Sequence, residues 1–293
     1  MKTFEYLFEP VNAGLFWPGV AAALIVALLC APLSLYVVLK KMAFIGQGVS
    51  HAAFGGVGLA LYVAAIAGTG GWSGWHQLAV LVFAAAAGLG ISVLSKRQGT
   101  DTAIGIVLAV CMAVGFELYR LAAGVAARTP GVAGPPGIED VLFGSVLNVT
   151  TGGAVATGIA AFLVLGSLWF VRRPLTAWAF DDATAGSLGI RGERMRALLL
   201  LMLSVAVVAT MQIAGVVLAT AMLIIPGVIG LSWGRTIRGA VVWSVMSAML
   251  GVVVGLLVTF ELGVQPGPSV VLVMVGLMLI GSGIRRATGA RSA

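Results

Sequence analysis

Long runs without Asp, Glu, Lys or Arg alternate along this chain with short clusters of charge. A helix crossing the roughly 30 Å hydrocarbon layer of a bilayer needs about 20 apolar residues at about 1.5 Å rise each, so each run converts into a number of crossings. Residues 11–39 make one long span, with Pro18 or Pro32 as the place for a bend. The 54 uncharged residues 42–95 hold two, turning at GTGGWSG, residues 68–74. Residues 102–123 give a fourth, interrupted only by Glu117 and Arg120. The stretch RTPGVAGPPGIED, residues 128–140, carries too much Gly and Pro for a regular helix and reads as an external loop. Residues 141–171 supply span five, with LFGSVLNVT (142–150) at the interface where it begins. The 38 uncharged residues 197–234 would run about 57 Å as one helix, so they divide into two spans near Ala214 and Gly215. Residues 240–260 and 269–284 bring the count to nine, within a range of eight to ten. The expected fold class is all-α, a polytopic transmembrane helical bundle. It forms one transmembrane domain, residues 1–293, with its longest inside loop at 172–196.

Composition agrees with lipid as the main solvent. Sixty per cent of the 293 residues are hydrophobic and 9% charged, against about 25% charged in soluble domains. The net charge of +7 is spread between apolar runs rather than gathered on one polar face, which argues against nucleic acid as a partner. It instead orients the bundle. With the N-terminus outside and the C-terminus in the cytoplasm, Lys40, Lys41, Lys96, Arg97, Arg172, Arg173, Arg191, Arg194, Arg196, Arg235, Arg238, Arg285, Arg286 and Arg291 all lie inside, 14 of the 17 cations, as the positive-inside rule requires. Trp17, Trp72, Trp75, Trp169, Trp178 and Trp233 lie near span ends and read as interfacial anchors. Cys30 and Cys111 sit inside apolar runs, which speaks against a disulfide framework. The start, MKTFEYLFEP, lacks the pattern of a cleaved signal peptide.

Catalytic readings lack their residues. A nucleotide-binding P-loop needs Gly-Lys-Ser/Thr, and none of Lys2, Lys40, Lys41 and Lys96 follows a glycine. A zincin needs paired histidines at helical spacing, but His51 and His76 are far apart, His76 in an outside loop. No Gly-x-Ser-x-Gly elbow accompanies a partner for nucleophilic catalysis. The few polar residues within spans are then informative, because an ionisable group in hydrocarbon faces a bundle interior or a wet path. They are Gln47, His51, Asp101, Glu117 and Gln212. Gln47 and His51 stand four apart on one helix face, and imidazole ligates divalent transition metals; for an isolated histidine, bonding to a neighbouring helix is the more ordinary reading. Glu117 either complements a cation or pairs with Arg120 or Arg128. Asp101 reads first as a helix N-cap. In the inside loop, FDDATAGSLGI (180–190) suits a two-turn helix capped by Asp181 or Asp182, lying on the bilayer or docking a cytosolic partner.

Five segments, in order, resemble the permease subunits of bacterial ATP-binding-cassette importers of the zinc/manganese/iron class. FIGQGVSHAAFGGVGLA (44–60) is similar to that family's Asp-x-x-x-His segment, and TDTAIGIVLAV (100–110) to the Asp-containing start of a later helix. LFGSVLNVT is similar to its Leu-Phe-Gly stretch, FDDATAGSLGI to its cytoplasmic coupling helix, and QIAGVVLATAMLIIPGVIG (212–230) to its Leu-Ile-Ile-Pro segment. The resemblance implies a multi-pass protein of the bacterial cytoplasmic (inner) membrane with no permanently bound cofactor and zinc or manganese as substrate. ATP hydrolysis would belong to cytoplasmic ATPase subunits. The other implied partners are a second permease copy, identical or closely related, an extracytoplasmic metal-binding protein docking on outer loops including 128–140, and membrane lipid. Phe180, Asp181, Asp182, Ala185, Leu188, Gly189 and Ile190 would contact the ATPase. His51 and Gln47 would line the metal path, with Gln47 standing where the family has aspartate. Glu117 would then supply the missing negative charge near His51. A secondary transporter and a non-transporting membrane assembly protein are the alternatives.

Overall fold

The computed structural model describes residues 10–68, 74–130, 134–144 and 151–287, with residues 132 and 149. Its helices are α1 (Pro10–Leu39), α2 (Ala43–Ile66), α3 (Gly74–Gln98), α4 (Thr100–Arg128), the short α5 (Ile138–Phe143), α6 (Thr151–Phe180), the short α7 (Asp182–Ser187), α8 (Gly192–Met222), α9 (Ile225–Trp233), α10 (Ile237–Leu262) and α11 (Pro266–Ala287). Among the described residues, nine segments are long and apolar enough to cross a bilayer. The count of nine expected from charge-free runs holds, because in hydrocarbon only a helix satisfies its backbone polar groups within one segment.

The break expected near Ala214 and Gly215 falls at Gly215, whose φ of 71° and ψ of 177° lie outside the helical region. A residue without Cβ adopts that backbone at little steric cost. A second interruption, at Leu223 and Ile224, separates α8 from α9. Its cause is Pro226, which has no N–H to continue a helix and instead sits in the first turn of the next one. Pro18 and Pro32, by contrast, lie within one continuous α1.

Several boundaries differ from expectation for physical reasons. The fifth span begins at Thr151 rather than 141 and runs to Phe180, so Arg172, Arg173 and Pro174, expected in the loop 172–196, are helical. Charge marks where the bilayer stops but does not stop a helix. Arg172 folds back over the Trp169 ring, 3.7 Å from its centroid, as a snorkelling cation does. The Gly/Pro-rich outer stretch ends earlier than Asp140, since α5 begins at Ile138. The last helix starts at Pro266, before 269, because proline is well placed at a helix start. His76 lies in the first turn of α3, buried and stacked on Trp75, not in a loop. Trp178 is buried inside the protein instead of anchoring to lipid. Residues 69–73, 145–148 and 150, within the predicted turn and the Leu-Phe-Gly stretch, are outside the described residues.

The core is built around α1 and α2. In each, 67% of the most apolar stretch is enclosed, against 22% in α4 and α6, which leaves those two at the periphery. Small residues allow the closest crossings. Gly58 of α2 lies against the Gly115 backbone of α4, and Gly55 sits where a Cβ would be 2.8 Å from the Cys111 carbonyl oxygen. Gly230 of α9 packs in the same way on Ala240 and Ser244 of α10. Two of the buried hydroxyls bond within their own helices, Ser34 donating to the Ala31 carbonyl at 2.7 Å and Thr210 to that of Ala206 at 2.6 Å. Cys30 and Cys111 are free thiols, Cys30 within 3.4 Å of the Thr210 hydroxyl.

Candidate functional site

Two regions hold the residues singled out above. The first is the lower half of α2. Gln47 and His51 are only partly buried, while Gly46, Gly48, Val49, Ser50, Ala52 and Ala53 around them are enclosed. One turn of helix thus presents an amide and an imidazole side by side on a partly open face. Among the described residues the enclosed His51 Nδ1 has no hydrogen-bond partner. A strongly held metal ligand normally has its second ring nitrogen fixed by an acceptor, which no described residue supplies to His51. Among the described residues no group of three or more His, Cys, Asp or Glu could hold a metal. Gly46, just before Gln47, packs against Leu223, 3.7 Å from where its Cβ would be, and so places the helix break beside this face.

Glu117 lies elsewhere. It accepts a 2.8 Å hydrogen bond from Arg120, both side chains being more than half exposed. Helices α2 and α4 run parallel, with Gly48 beside Ile104 and Gly58 beside Gly115. Glu117 is therefore about nine residues, or roughly 13 Å along the axis, from the level of His51, and the structure does not bring the two together. Asp101 is in the first turn of α4, where it favours the helix dipole, but the N-cap position is Gly99 and no side chain caps it. The Gln212 side chain is outside the described residues.

The second region is α7. Asp181, not Asp182, is its N-cap, accepting from the Ala183 amide at 2.9 Å, the Thr184 amide at 3.3 Å and the Thr184 hydroxyl. Those donors, the Thr184 hydroxyl first, hold its carboxyl below the ordinary carboxylate range. The other end closes with the Ile190 amide on the Ala185 carbonyl and the Gly189 amide on that of Gly186, both at 3.0 Å. That is a Schellman closure, and it requires the left-handed φ of 77° at Gly189. Ala185 is buried against the bundle, Ile190 is half-buried, and Phe180 and Leu188 project 61% and 68% exposed. Two large apolar side chains thus stand exposed beside a capped turn.

Sequence reasoning missed what α7 rests on. Lys40, at the end of α1, forms a 2.8 Å ion pair with Asp182 and lies 4.3 Å above the Trp178 ring. Tyr36, one turn earlier, is 3.2 Å from the Thr176 hydroxyl. Partners some 140 residues apart leave no local signal in the chain.

Comparison with known proteins agrees with this architecture. A manganese transport system membrane protein, MntC, from Halalkalibacterium halodurans is 30% identical over 93% of this chain and 88% of its own. A probable iron transport system membrane protein from Haemophilus influenzae is 27% identical over 94% of this chain and 96% of its own. PsaBC from Streptococcus pneumoniae, solved in complex with Fab, superposes with a TM-score of 0.79 at 23% identity, covering 95% of each chain. Residues 13–285 match the family described as the ABC 3 transport family, and the chain, a multi-pass inner-membrane protein, belongs to that family.

Proposed function

We propose that the chain is the permease subunit of an ATP-binding-cassette importer that moves a divalent transition metal ion, zinc or manganese with iron as the further candidate, across the cytoplasmic membrane. The observation that carries the reading is the Gln47–His51 pair on a partly open face of an otherwise enclosed helix. Family membership and the printed names of relatives that transport manganese, zinc and iron support the substrate class. Imidazole and amide suit all three metals. A sparse donor set suits a path, since an ion that binds too tightly is not released.

The motor is a partner. The chain has no P-loop lysine, and Phe180, Asp181, Asp182, Ala185, Leu188, Gly189 and Ile190 form the element that seats in a cytoplasmic ATPase subunit. Closure of two such ATPases rocks two permease copies about a central path, with the open faces of α2 and α4 turned toward it. The metal arrives on an extracytoplasmic binding protein and passes the level of Glu117–Arg120 before that of His51, the pair acting as a charged element rather than a ligand shared with His51.

The test is uptake of radioactive zinc and manganese by vesicles holding the chain with its ATPase and binding protein. ATP-dependent uptake is expected, and His51→Ala should lower it by about tenfold or more, the scale of losing a ligand at a metal site. If the wild type moves neither ion, the substrate assignment fails; uptake without the ATPase would favour a secondary transporter. Normal uptake by a correctly inserted His51→Ala protein makes the histidine structural.

A further inference from the structure

We infer that Lys40 is a positioning residue that joins the coupling element α7 to the base of α2, and so carries ATPase motion to the helix bearing Gln47 and His51. The inference rests on the importer reading above and adds the route of transmission. By its covalent connections, α7 is tied only to α6, through Asp181, and to α8, through residues 188–191. Lys40 supplies a third attachment, across the bundle. Its ammonium sits between the Asp182 carboxylate, at 2.8 Å, and the Trp178 ring, at 4.3 Å, and its side chain is only 13% exposed. Trp178 is itself buried and fixed, with Gly192 at the start of α8 packed where a Cβ would lie 3.0 Å from the indole Nε1. The cation thus touches α7 through Asp182, whose carboxylate is 67% exposed, and α6 through the enclosed Trp178.

From Lys40 to the path the chain is short and stiff. The Lys40 amide donates to the Tyr36 carbonyl at 3.0 Å, the Lys41 amide to Val38 at 3.0 Å and the Met42 amide to Val37 at 2.8 Å. Lys41 adopts a left-handed φ of 55°, which turns the chain directly into α2. Gln47 follows seven residues after Lys40, and His51 one turn later. A displacement of α7 that keeps the Asp182–Lys40 pair therefore displaces the foot of α2. Without the pair, α7 can follow the ATPase while α2 stays.

Lys41 provides the control. It is adjacent, exposed and equal in charge, so replacing it changes loop charge and orientation signals as much as replacing Lys40 does, without touching Asp182. In reconstituted transporter, metal moved per ATP hydrolysed is measured for wild type, Lys40→Met, Lys40→Arg, Lys41→Met, Asp182→Asn and the Lys40→Met/Asp182→Asn double variant. Lys40→Met and Asp182→Asn are each expected to lower the ratio about fivefold, at the low end of ordinary coupling energies, while hydrolysis continues. The double variant should be no worse than the singles, as for one shared contact. Lys40→Arg should retain most of the ratio, and Lys41→Met should match wild type. An unchanged ratio in Lys40→Met, an equal loss in Lys41→Met, or multiplying losses in the double variant would overturn the inference. Should Lys40→Met insert poorly, Lys40→Gln takes its place in both the single and the double variant, because Asp182 is also among the residues proposed to meet the ATPase.

A second arm reads the link without transport. Spin labels on Phe44→Cys and Ser187→Cys, in a chain with Cys30→Ala and Cys111→Ala, report the distance from α7 to the foot of α2. Lys40→Met should broaden that distance distribution and Lys41→Met should not; identical distributions would overturn the link. If the wild type shows no ATP-dependent uptake while Lys40→Met alone broadens the distance, the importer reading falls and the mechanical link stands.

Discussion

Asp181 illustrates how much one exposed side chain does when its partners are local. Its carboxylate binds two backbone amides and the hydroxyl of Thr184, and the same bonds hold its pKa down. A group whose folded pKa is depressed contributes stability above its unfolded value, near 3.8, and loses that contribution as pH falls through the folded value. The α7 cap is therefore fully formed throughout the neutral range. Asp181→Ala should accelerate amide exchange at Ala183 and Thr184 several-fold at neutral pH, an effect that shrinks toward the acid limit where the wild-type carboxylate is also protonated. Equal exchange in both proteins at neutral pH would remove Asp181 as the cap. The acidic start of FDDATAGSLGI announced such a cap, because capping partners lie within three residues. Which of Asp181 and Asp182 serves was decided by the bundle, since Lys40 takes Asp182.

Among the elements, α7 and the α8–α9 region show the two ways a helix stops. Gly189 closes α7 in a left-handed conformation that proline, fixed near φ −65°, cannot adopt. Gly189→Pro should leave membrane insertion intact yet lower metal uptake about tenfold or more while ATP hydrolysis persists, a coupling loss of ordinary size. Uptake at the wild-type ratio would show that this turn is not the coupling element. The break at Gly215 was readable from span length alone, because 38 uncharged residues exceed one crossing. The break at Leu223 and Ile224 carried a signal too, Pro226, but two other prolines sit inside an unbroken α1, so proline by itself did not separate the cases. The end of α6 was misplaced for a related reason: Arg172 and Arg173 report the membrane boundary, whereas the helix follows its own hydrogen bonds on to Phe180.

At the scale of the whole molecule, the distribution of 14 of 17 cations predicts α7 on the cytoplasmic side. Leu188 is 68% exposed, so Leu188→Cys, with Cys30 and Cys111 replaced by alanine, should react with a membrane-impermeant thiol reagent only in inside-out vesicles. Reaction in right-side-out vesicles would invert the topology. The peripheral α4 and α6 leave broad apolar faces uncovered in the single chain. Hydropathy and short-range caps were enough to give the all-α class, nine crossings, the Gly215 break and the small capped helix, because bilayer transfer energies and capping bonds depend on residues close together in the chain. Packing alone settled that Glu117 stands about 13 Å along the axis from the level of His51, that Trp178 is interior, and that Lys40 reaches Asp182. Those contacts depend on which helix faces meet, and at Gly58–Gly115 and Gly230–Ser244 the meeting is fixed by the room a missing side chain leaves, a property of paired surfaces that no single stretch of sequence contains.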